Sequence, residues 1–562
     1  MATFFFDGTT SQSINFDVDN DQIVFELEAS QVASVTSNAN GTTITTTSGA
    51  SLTFVGLSAV ALADASVLPA GLVQFGTDGV DTLTALAGGS VIIANGGADV
   101  VNGGAGDDLL AGGLGNDVIT GNGGSDRIYG GEGNDTITAT GAAGDASLIV
   151  GGLGFDVVQV GGTFAGVTFT AGTAQAGDFT VFGGNGLDTT DGADRIGLNL
   201  TSAGNATVYS NAGADTIVVA GAGSALLNGG QGADTITATV NSGDISGGLG
   251  TDTITVTTTG ADAAVTVFGG SLNDTTADGV DTINVTATNG HTVTIYGNGG
   301  ADDINVLGAG GGEYHIFGGA DADDISGAVG TGSMIYGGAA GDTINISVVN
   351  PASGQASVTV FGGNGVGDTS ADIDNITVTL SGTGTSAQLA TIYGNGGNDV
   401  ITLAGAGQAT VFGGTGNDDI NVGGTGVHVL TGGEGEDTFD FTSYTFAAPT
   451  ATNVVSITDM TFGTDTIDLA ATVTAVSTVT NASDIAAINN AANLQAATVL
   501  AINAGEGTNA TGTQVATLFT YQGESYVVSA TADQAAPAAA GDIDAIIKVT
   551  GYQGTIDVGS FA

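Results

Sequence analysis

Residues 103–138 read GGAGDDLLAGGLGNDVITGNGGSDRIYGGEGNDTIT, four nine-residue units in succession, each with an aspartate at its sixth place: Asp108, Asp117, Asp126 and Asp135. Written G-G-x-G-x-D-x-U-x, with U a large apolar residue, the pattern fits 103–111, 112–120 and 130–138; 121–129 fits with Asn second, and 94–102, which contains Asp99, with Ala94 first and Asn second. Glycines permit the left-handed angles of a tight turn, and x-U-x is a short strand with one inward side chain, here Leu110, Ile119, Ile128 or Ile137. One unit is one turn plus one strand, so two units close a coil of a parallel β-roll, and turns eighteen residues apart stack on one edge. Stacked strands lie about 4.8 Å apart. Two carboxylates at that distance repel by roughly 3–4 kcal/mol at an effective dielectric of about 20, and the sum along an edge would rival the stability of a whole domain. The row requires a cation. Carboxylates and turn carbonyls form an all-oxygen, flexible donor set, which suits Ca²⁺ better than Mg²⁺ or a metal that seeks nitrogen and sulfur.

The rest of the chain is built to carry that row. Past residue 138 the aspartate turns recur at about twice the spacing: Asp215, Asp234, Asp252; Asp302, Asp323, Asp342; Asp399, Asp418, Asp437, with Asp156 between the two patterns. Steps of 18–21 residues equal one coil with small insertions, which places the ladder on one edge. A longer period of about ninety residues opens at 180, 266 and 359 on T-V-F-G-G, and its opening loops carry further acids, Asp188 and Asp191, Asp274 and Asp278, Asp368 and Asp372. An aromatic stands before many of the paired glycines, including Tyr296, Phe317, Tyr336, Phe361, Tyr393 and Phe412; strand alternation points it outward, into a stack of rings or a seam between molecules.

The composition agrees. The 562 residues include 57 acidic and 3 basic ones for a net charge of −54, which makes nucleic acid and anionic membrane surfaces poor partners. Apolar residues make up 41%, too many for a disordered chain, and Gly is 99 residues at fixed places, as in a repeat protein. There is no cysteine to form disulfides, no segment approaches the length of a transmembrane helix, and residues 1–7, without a basic region or long apolar run, are not expected to be a secretory signal. No H-E-x-x-H or G-x-S-x-G occurs, and His291, His315 and His428 are scattered, as expected of solvent-facing strand positions, so no enzyme is expected.

These nonapeptides resemble the RTX (repeats-in-toxin) calcium-binding repeats. The C-terminal end, with I-x-D-x-x-x-G-x-D-x-I-D-L closing at Leu469 and Tyr526-Val527-Val528, resembles that of RTX surface-layer and adhesin proteins. The resemblance implies an uncleaved C-terminal signal for the type I secretion machinery and a secreted, cell-surface location. The expected fold is all-β: a parallel β-roll or β-helix solenoid of glycine-aspartate repeats with a small N-terminal β-module and a C-terminal α+β cap. Its parts are 1–72 (β-module), 73–179 (contiguous nonapeptides), 180–440 (three super-repeats) and 441–562 (secretion-signal-like cap). Within them Asn40-Gly41 is expected to turn a hairpin between 21–30 and 41–57, 483–503 to form one N-capped helix with Ile485, Ile488, Val499 and Ile502 on one face, and 517–530 to form one strand.

The expected function is that of a surface-layer subunit assembling with Ca²⁺ into a homo-oligomeric lattice. An adhesin or fibrous biofilm-matrix protein, forming filaments, is the alternative; a polysaccharide-active enzyme using Asp188, Asp274 and Asp368, or an ice-binding face on the Thr-rich strands 235–239 and 253–259, stands further off. A cell-surface glycan or lipopolysaccharide is the partner such a subunit would anchor to.

Overall fold

A computed structural model describes residues 3–561 apart from 18–20, 26–31, 39, 59–61, 63–72, 86–87, 140–147, 154–156, 161–163, 166–167, 170–177, 183–194, 201–204, 211, 222, 260–263, 271–277, 288–290, 309–311, 350–355, 366–370, 382–387, 451–452, 507–511, 532–538 and 540–541. The chain divides into two compact units, Met1–Thr282 and Ile283–Ala562.

In each unit the Gly-Asp repeats alternate between two parallel sheets. Strands of one, the aspartate sheet, each follow a ladder aspartate: in the first unit these include Val100–Asn102, Val118–Thr120, Thr136–Ala139, Thr235–Val240 and Thr253–Thr258. Strands of the other, the aromatic sheet, lie between them in sequence, among them Leu109–Leu114, Arg127–Glu132 and Ser224–Gln231. Val100 pairs with Val118 and Val118 with Thr136, so successive rungs of one sheet are eighteen residues apart, as two nonapeptides per coil require. The second unit repeats the plan from Asp303–Val306 and Glu313–Gly319 to Thr438–Asp440 and Val429–Glu434.

The core is two facing stacks of aliphatic side chains. Leu110, Ile119, Ile128 and Ile137 are fully buried, as are Ile304, Ile325, Ile344, Ile376, Ile401 and Ile420 in the second unit. Each such side chain removed from water contributes about 1.5–3 kcal/mol. Most strands add smaller buried neighbours to the isoleucine, as Ala238 and Val240 beside Ile236, and Tyr314 takes such a place beside Ile316.

The N-terminal module differs from its expected form. Its hairpin joins Val32–Asn38 to Gly41–Thr46, with Asn38 paired to Gly41, and Gly41 is already the first residue of a strand. Residues 41–57 contain two strands, the second being Ser51–Val55, because Ser48-Gly49-Ala50 turns the chain back. Gln22–Phe25 pairs instead with Thr3–Phe6, in parallel. The module lies against the outer face of the first rungs: Phe6, Phe16, Ile44 and Phe54 share one core with Val73, Phe75, Val91 and Leu109, and the Arg127 guanidinium donates to the Val32 carbonyl.

At the other end the aromatic sheet of the second unit runs on into the cap. Ser456–Ile457 pairs with Ala545–Val549, which pairs with Glu524–Thr531 and that with Gln514–Tyr521. The stretch 517–530 is therefore a hairpin, turned at Gln522 and Gly523, both with positive φ (52° and 87°), as a tight two-residue turn demands. The expected single helix is two, Ala482–Asn489 and Leu494–Glu506, with Asn481 capping the first. Asn489 and Asn490 turn their side-chain amides back onto the Ile485 and Ala486 carbonyls and end it there. Ile488 and Ile502 are buried as expected, whereas Ile485 is exposed.

Candidate metal centre

Each ladder aspartate is placed by a turn whose two glycines have separate reasons to be glycine. At Gly112 an added Cβ would lie 2.2 Å from Asp117 Oδ2 and 2.7 Å from the Gly130 carbonyl oxygen of the next rung. At Gly113, with φ +110°, it would lie 1.9 Å from the Asn95 carbonyl oxygen of the previous rung. The first glycine thus leaves open a cradle on which a carboxylate oxygen and a carbonyl oxygen converge; the second lets the rungs close up. The same pair of oxygens meets over Gly229 (Asp234 Oδ2 and the Gly247 carbonyl, each 2.4 Å from the Cβ position) and over Gly413 (Asp418 Oδ2 at 2.3 Å, Gly432 at 2.5 Å). Where Asn replaces the second glycine it takes the left-handed conformation, φ 72° at Asn95 and 64° at Asn122, and its amide donates to a carbonyl of the rung before.

The two carboxylate oxygens do different things. Oδ1 accepts the backbone N–H of the preceding ladder aspartate: Asp99 N–H to Asp117 and Asp117 N–H to Asp135, both 2.8 Å, and Asp215 to Asp234, Asp234 to Asp252 and Asp252 to Asp281, all 2.7 Å. In the second unit the chain of bonds runs Asp302, Asp323, Asp342, Asp374, Asp399, Asp418, Asp437, Asp465. Oδ2 points into the cradle. In Asp99, Asp117, Asp234, Asp252, Asp323, Asp342, Asp399 and Asp418 it is buried and has no hydrogen-bond partner in the protein. A buried charged oxygen with no partner costs on the order of several kcal/mol, so the row is complete only with a ligand.

Electrostatics point the same way. Burial, reinforced by the neighbouring carboxylates, pushes Asp117 up to about 6, Asp234 and Asp418 to about 7 and Asp342 to about 8. Among the described residues no three acidic or histidine side chains converge on one point, so the remaining ligands are turn carbonyls. Carboxylate and carbonyl oxygens at every rung are the donor set Ca²⁺ takes. A bound Ca²⁺ supplies two positive charges per site, enough to cancel the repulsion between two successive rungs.

In each unit one aspartate of the row has its second oxygen taken by protein. Asp81 Oδ2 accepts from the Thr77 N–H (2.6 Å) and hydroxyl (2.9 Å), and Asp465 Oδ2 from the Thr461 N–H (2.7 Å).

Of the fifteen aspartates expected from sequence, Asp99, Asp117, Asp135, Asp215, Asp234 and Asp252 fall in one row of the first unit, and Asp302, Asp323, Asp342, Asp399, Asp418 and Asp437 in one row of the second. Asp108 and Asp126 belong to the opposite edge, where Asp108 N–H donates to Asp126 Oδ1 at 3.0 Å. Asp156 lies outside the described residues, as do Asp188, Asp191, Asp274 and Asp368. Four members of the rows escaped the motif: Asp81, Asp281, Asp374 and Asp465. Insertions separate Asp281 and Asp374 from the paired glycines and Asp81 and Asp465 lack the pair, but each keeps Asp-x-(Ile/Leu) at the head of a strand, the signal that would have found them. The histidines also differ from expectation. Only His315 is half-exposed; His291 and His428 are buried, 3% and 2% exposed. His428 sits at the opposite edge with Nδ1 accepting the Ala409 N–H (3.1 Å), and burial lowers it to about 4, so it is neutral.

Four segments of the chain, 75–110, 103–137, 200–236 and 391–405, match the family described as RTX calcium-binding nonapeptide repeat. No curated protein matches the chain. Among solved structures, a hyperactive, Ca²⁺-dependent, β-helical antifreeze protein from an Antarctic bacterium matches over 65% of this chain and 85% of its own, at 17% identity and a TM-score of 0.24, a likeness too slight to argue from. Among the described residues no helix is long and apolar enough to cross a membrane. The chain carries RTX calcium-binding nonapeptide repeats within a parallel β-roll.

Proposed function

We propose that this RTX β-roll protein is a structural subunit of the cell exterior, a surface-layer protein that folds on Ca²⁺ and assembles with copies of itself. The observation that carries the reading is the buried, unpartnered Oδ2 repeated from rung to rung: it makes ion binding and folding one event. At low cytosolic calcium the carboxylates oppose the roll and leave the chain fit for type I export, with residues 441–562 as its signal; outside, ions at about 10⁻⁴–10⁻³ M, the affinity range of extracellular modules, close it. Residues 1–72 and 441–562 act as caps, 73–179 and 180–440 as the two stretches of scaffold. Support for self-assembly comes from the outer faces, which repeat at the rung spacing: Thr235, Thr237 and Thr239 stand in register with Thr253, Thr255 and Thr257. A surface of constant pitch is one that a second copy can match. A cell-surface glycan or lipopolysaccharide is the proposed anchor, and catalysis has no part in the proposal.

The test is light scattering and negative-stain imaging while Ca²⁺ is raised to millimolar levels. Two-dimensional sheets are expected. Threads would instead establish the adhesin or biofilm-matrix alternative, and a monomer throughout would end the self-assembly proposal. The same threonine ranks favour a second reading, an ice-contacting face, which predicts thermal hysteresis in calcium-loaded protein and its loss in Thr237→Lys.

A further inference from the structure

Carboxylates outside the rows lie against them, among them Asp278 in the first unit and Asp372 in the second. In the first unit the segment before Asp281 folds over the turn Gly247–Asp252. Asp278 Oδ1 accepts the N–H of Gly250 (3.3 Å) and of Gly279 (2.9 Å), and a Cβ on Gly279 would fall 2.2 Å from the Gly250 carbonyl oxygen. That turn already holds, over Gly247, the Oδ2 of Asp252, which is 1% exposed and has no protein partner. Asp278 thus brings a second carboxylate to that turn, and its charge bears on both Asp252 and Asp281.

The second unit has an equivalent. A Cβ on Gly341 would lie 2.4 Å from the Ile373 carbonyl oxygen, and one on Gly397 1.5 Å from that of Asp372. Residues 372–374 are therefore wedged between the turns leading to Asp342 and to Asp399, and the charge of Asp372 bears on both of these aspartates. Asp342 is 1% exposed, and its Oδ2, over Gly337, has no protein partner. In both places an insertion in the repeat delivers the extra acid. Calcium affinity in all-oxygen sites rises with the number of charged ligands, and two carboxylates on one turn repel unless an ion lies between them.

We propose that Asp278 and Asp372 are additional calcium ligands, each converting one rung of its unit into a tight site that fills before the rest of the row. The proposal rests on the reading that the rows bind Ca²⁺. Calorimetric calcium titration of the full chain tests it, comparing the unaltered protein with Asp278→Asn, Asp372→Asn and the double variant. Asparagine keeps the acceptor that Gly250 uses and removes only the charge. The unaltered protein should show a tight class of ions ahead of a weaker one. Each single variant should weaken one tight ion by about tenfold or more, as expected for loss of a charged ligand, and the double variant two, with the weaker class unchanged in number. A single class in the unaltered protein, or a tight class untouched in the double variant, overturns the proposal. No calcium uptake by the unaltered protein would overturn the reading of the rows instead. Should the asparagine variants fail to reach native β-signal in saturating calcium, Asp278→Glu and Asp372→Glu decide: retention of the tight class supports ligation, and its loss in folded protein refutes it.

Discussion

The two edges of the second unit perform one backbone task with different residues. On the aspartate edge, Asp342 and Asp418 accept the N–H of Asp323 and Asp399. On the opposite edge neutral groups do the same: Ser333 Oγ accepts from the Tyr314 N–H (3.0 Å) and His428 Nδ1 from the Ala409 N–H (3.1 Å). Rung-to-rung hydrogen bonding therefore does not need a charge. What the aspartates add is a second, charged oxygen held over a glycine, where His428 on the opposite edge puts a neutral ring, its Nε2 2.6 Å from the Cβ position of Gly426. A feature that is costly without a ligand and dispensable for the fold's hydrogen bonds is there for the ligand, and that distinction separates the edge that binds from the edge that only pairs.

Chelation is the most forceful way to break the comparison. Calcium-free protein at pH 8 and low ionic strength should lose most of its far-UV β-signal and recover it when Ca²⁺ returns; an unchanged melting temperature would mean the two edges are alike. Gly413→Ala fills one cradle on the aspartate edge, its Cβ 2.3 Å from Asp418 Oδ2. It should remove calcium from that rung and cost about 2–4 kcal/mol in denaturant titrations of the loaded protein.

Asp418→Asn should change sign with calcium. It destabilises the loaded protein by about 1–3 kcal/mol, and in chelator it stabilises, because a buried charge has gone; the same direction in both conditions would contradict the division of labour between Oδ1 and Oδ2. The pH dependence follows. Folded-state values near 6 to 8 for Asp117, Asp234, Asp342 and Asp418 lie above the usual carboxylate value, so the folded protein binds more protons than the unfolded one. Without calcium the destabilisation is fully present above about pH 8 and fades as pH falls toward 4. The melting temperature in chelator should therefore rise on acidification over that window. On the other edge, His428→Gln should matter least, within about 1 kcal/mol with or without calcium, and with no change in calcium count.

Period and polarity made the roll legible. Ile119 and Asp117 recur at fixed steps, and their burial and stacking are what those steps require. Insertions hid the rest: Asp281 follows Asp252 by 29 residues and Asp374 follows Asp342 by 32, so a search tied to paired glycines passes them by. His428 looked like a surface residue because imidazole is polar, yet as a hydrogen-bond acceptor it replaces an aspartate without a charge. Gln522-Gly523 is a weaker turn signal than Asn-Gly, so two strands read as one. The helix break at Asn490 is set by side-chain amides folding onto the backbone, which hydrophobic spacing does not encode.

The aromatic sheet of the second unit carries six outward rings, Tyr296, Phe317, Tyr336, Phe361, Tyr393 and Phe412, stacked at 4.7–5.0 Å and within 10° of parallel. Each pair adds about 0.5–1.5 kcal/mol, and none of it depends on calcium. In a chain whose coils are nearly interchangeable, the hazard on closing is a slip by one whole coil, which leaves every isoleucine and aspartate with a plausible mate. The ring column has a definite terminus, since Phe412 is followed in register by Thr431. A slipped pairing would strand a ring against a threonine, so the column works as a vernier that tells one coil from the next while the chain zips shut.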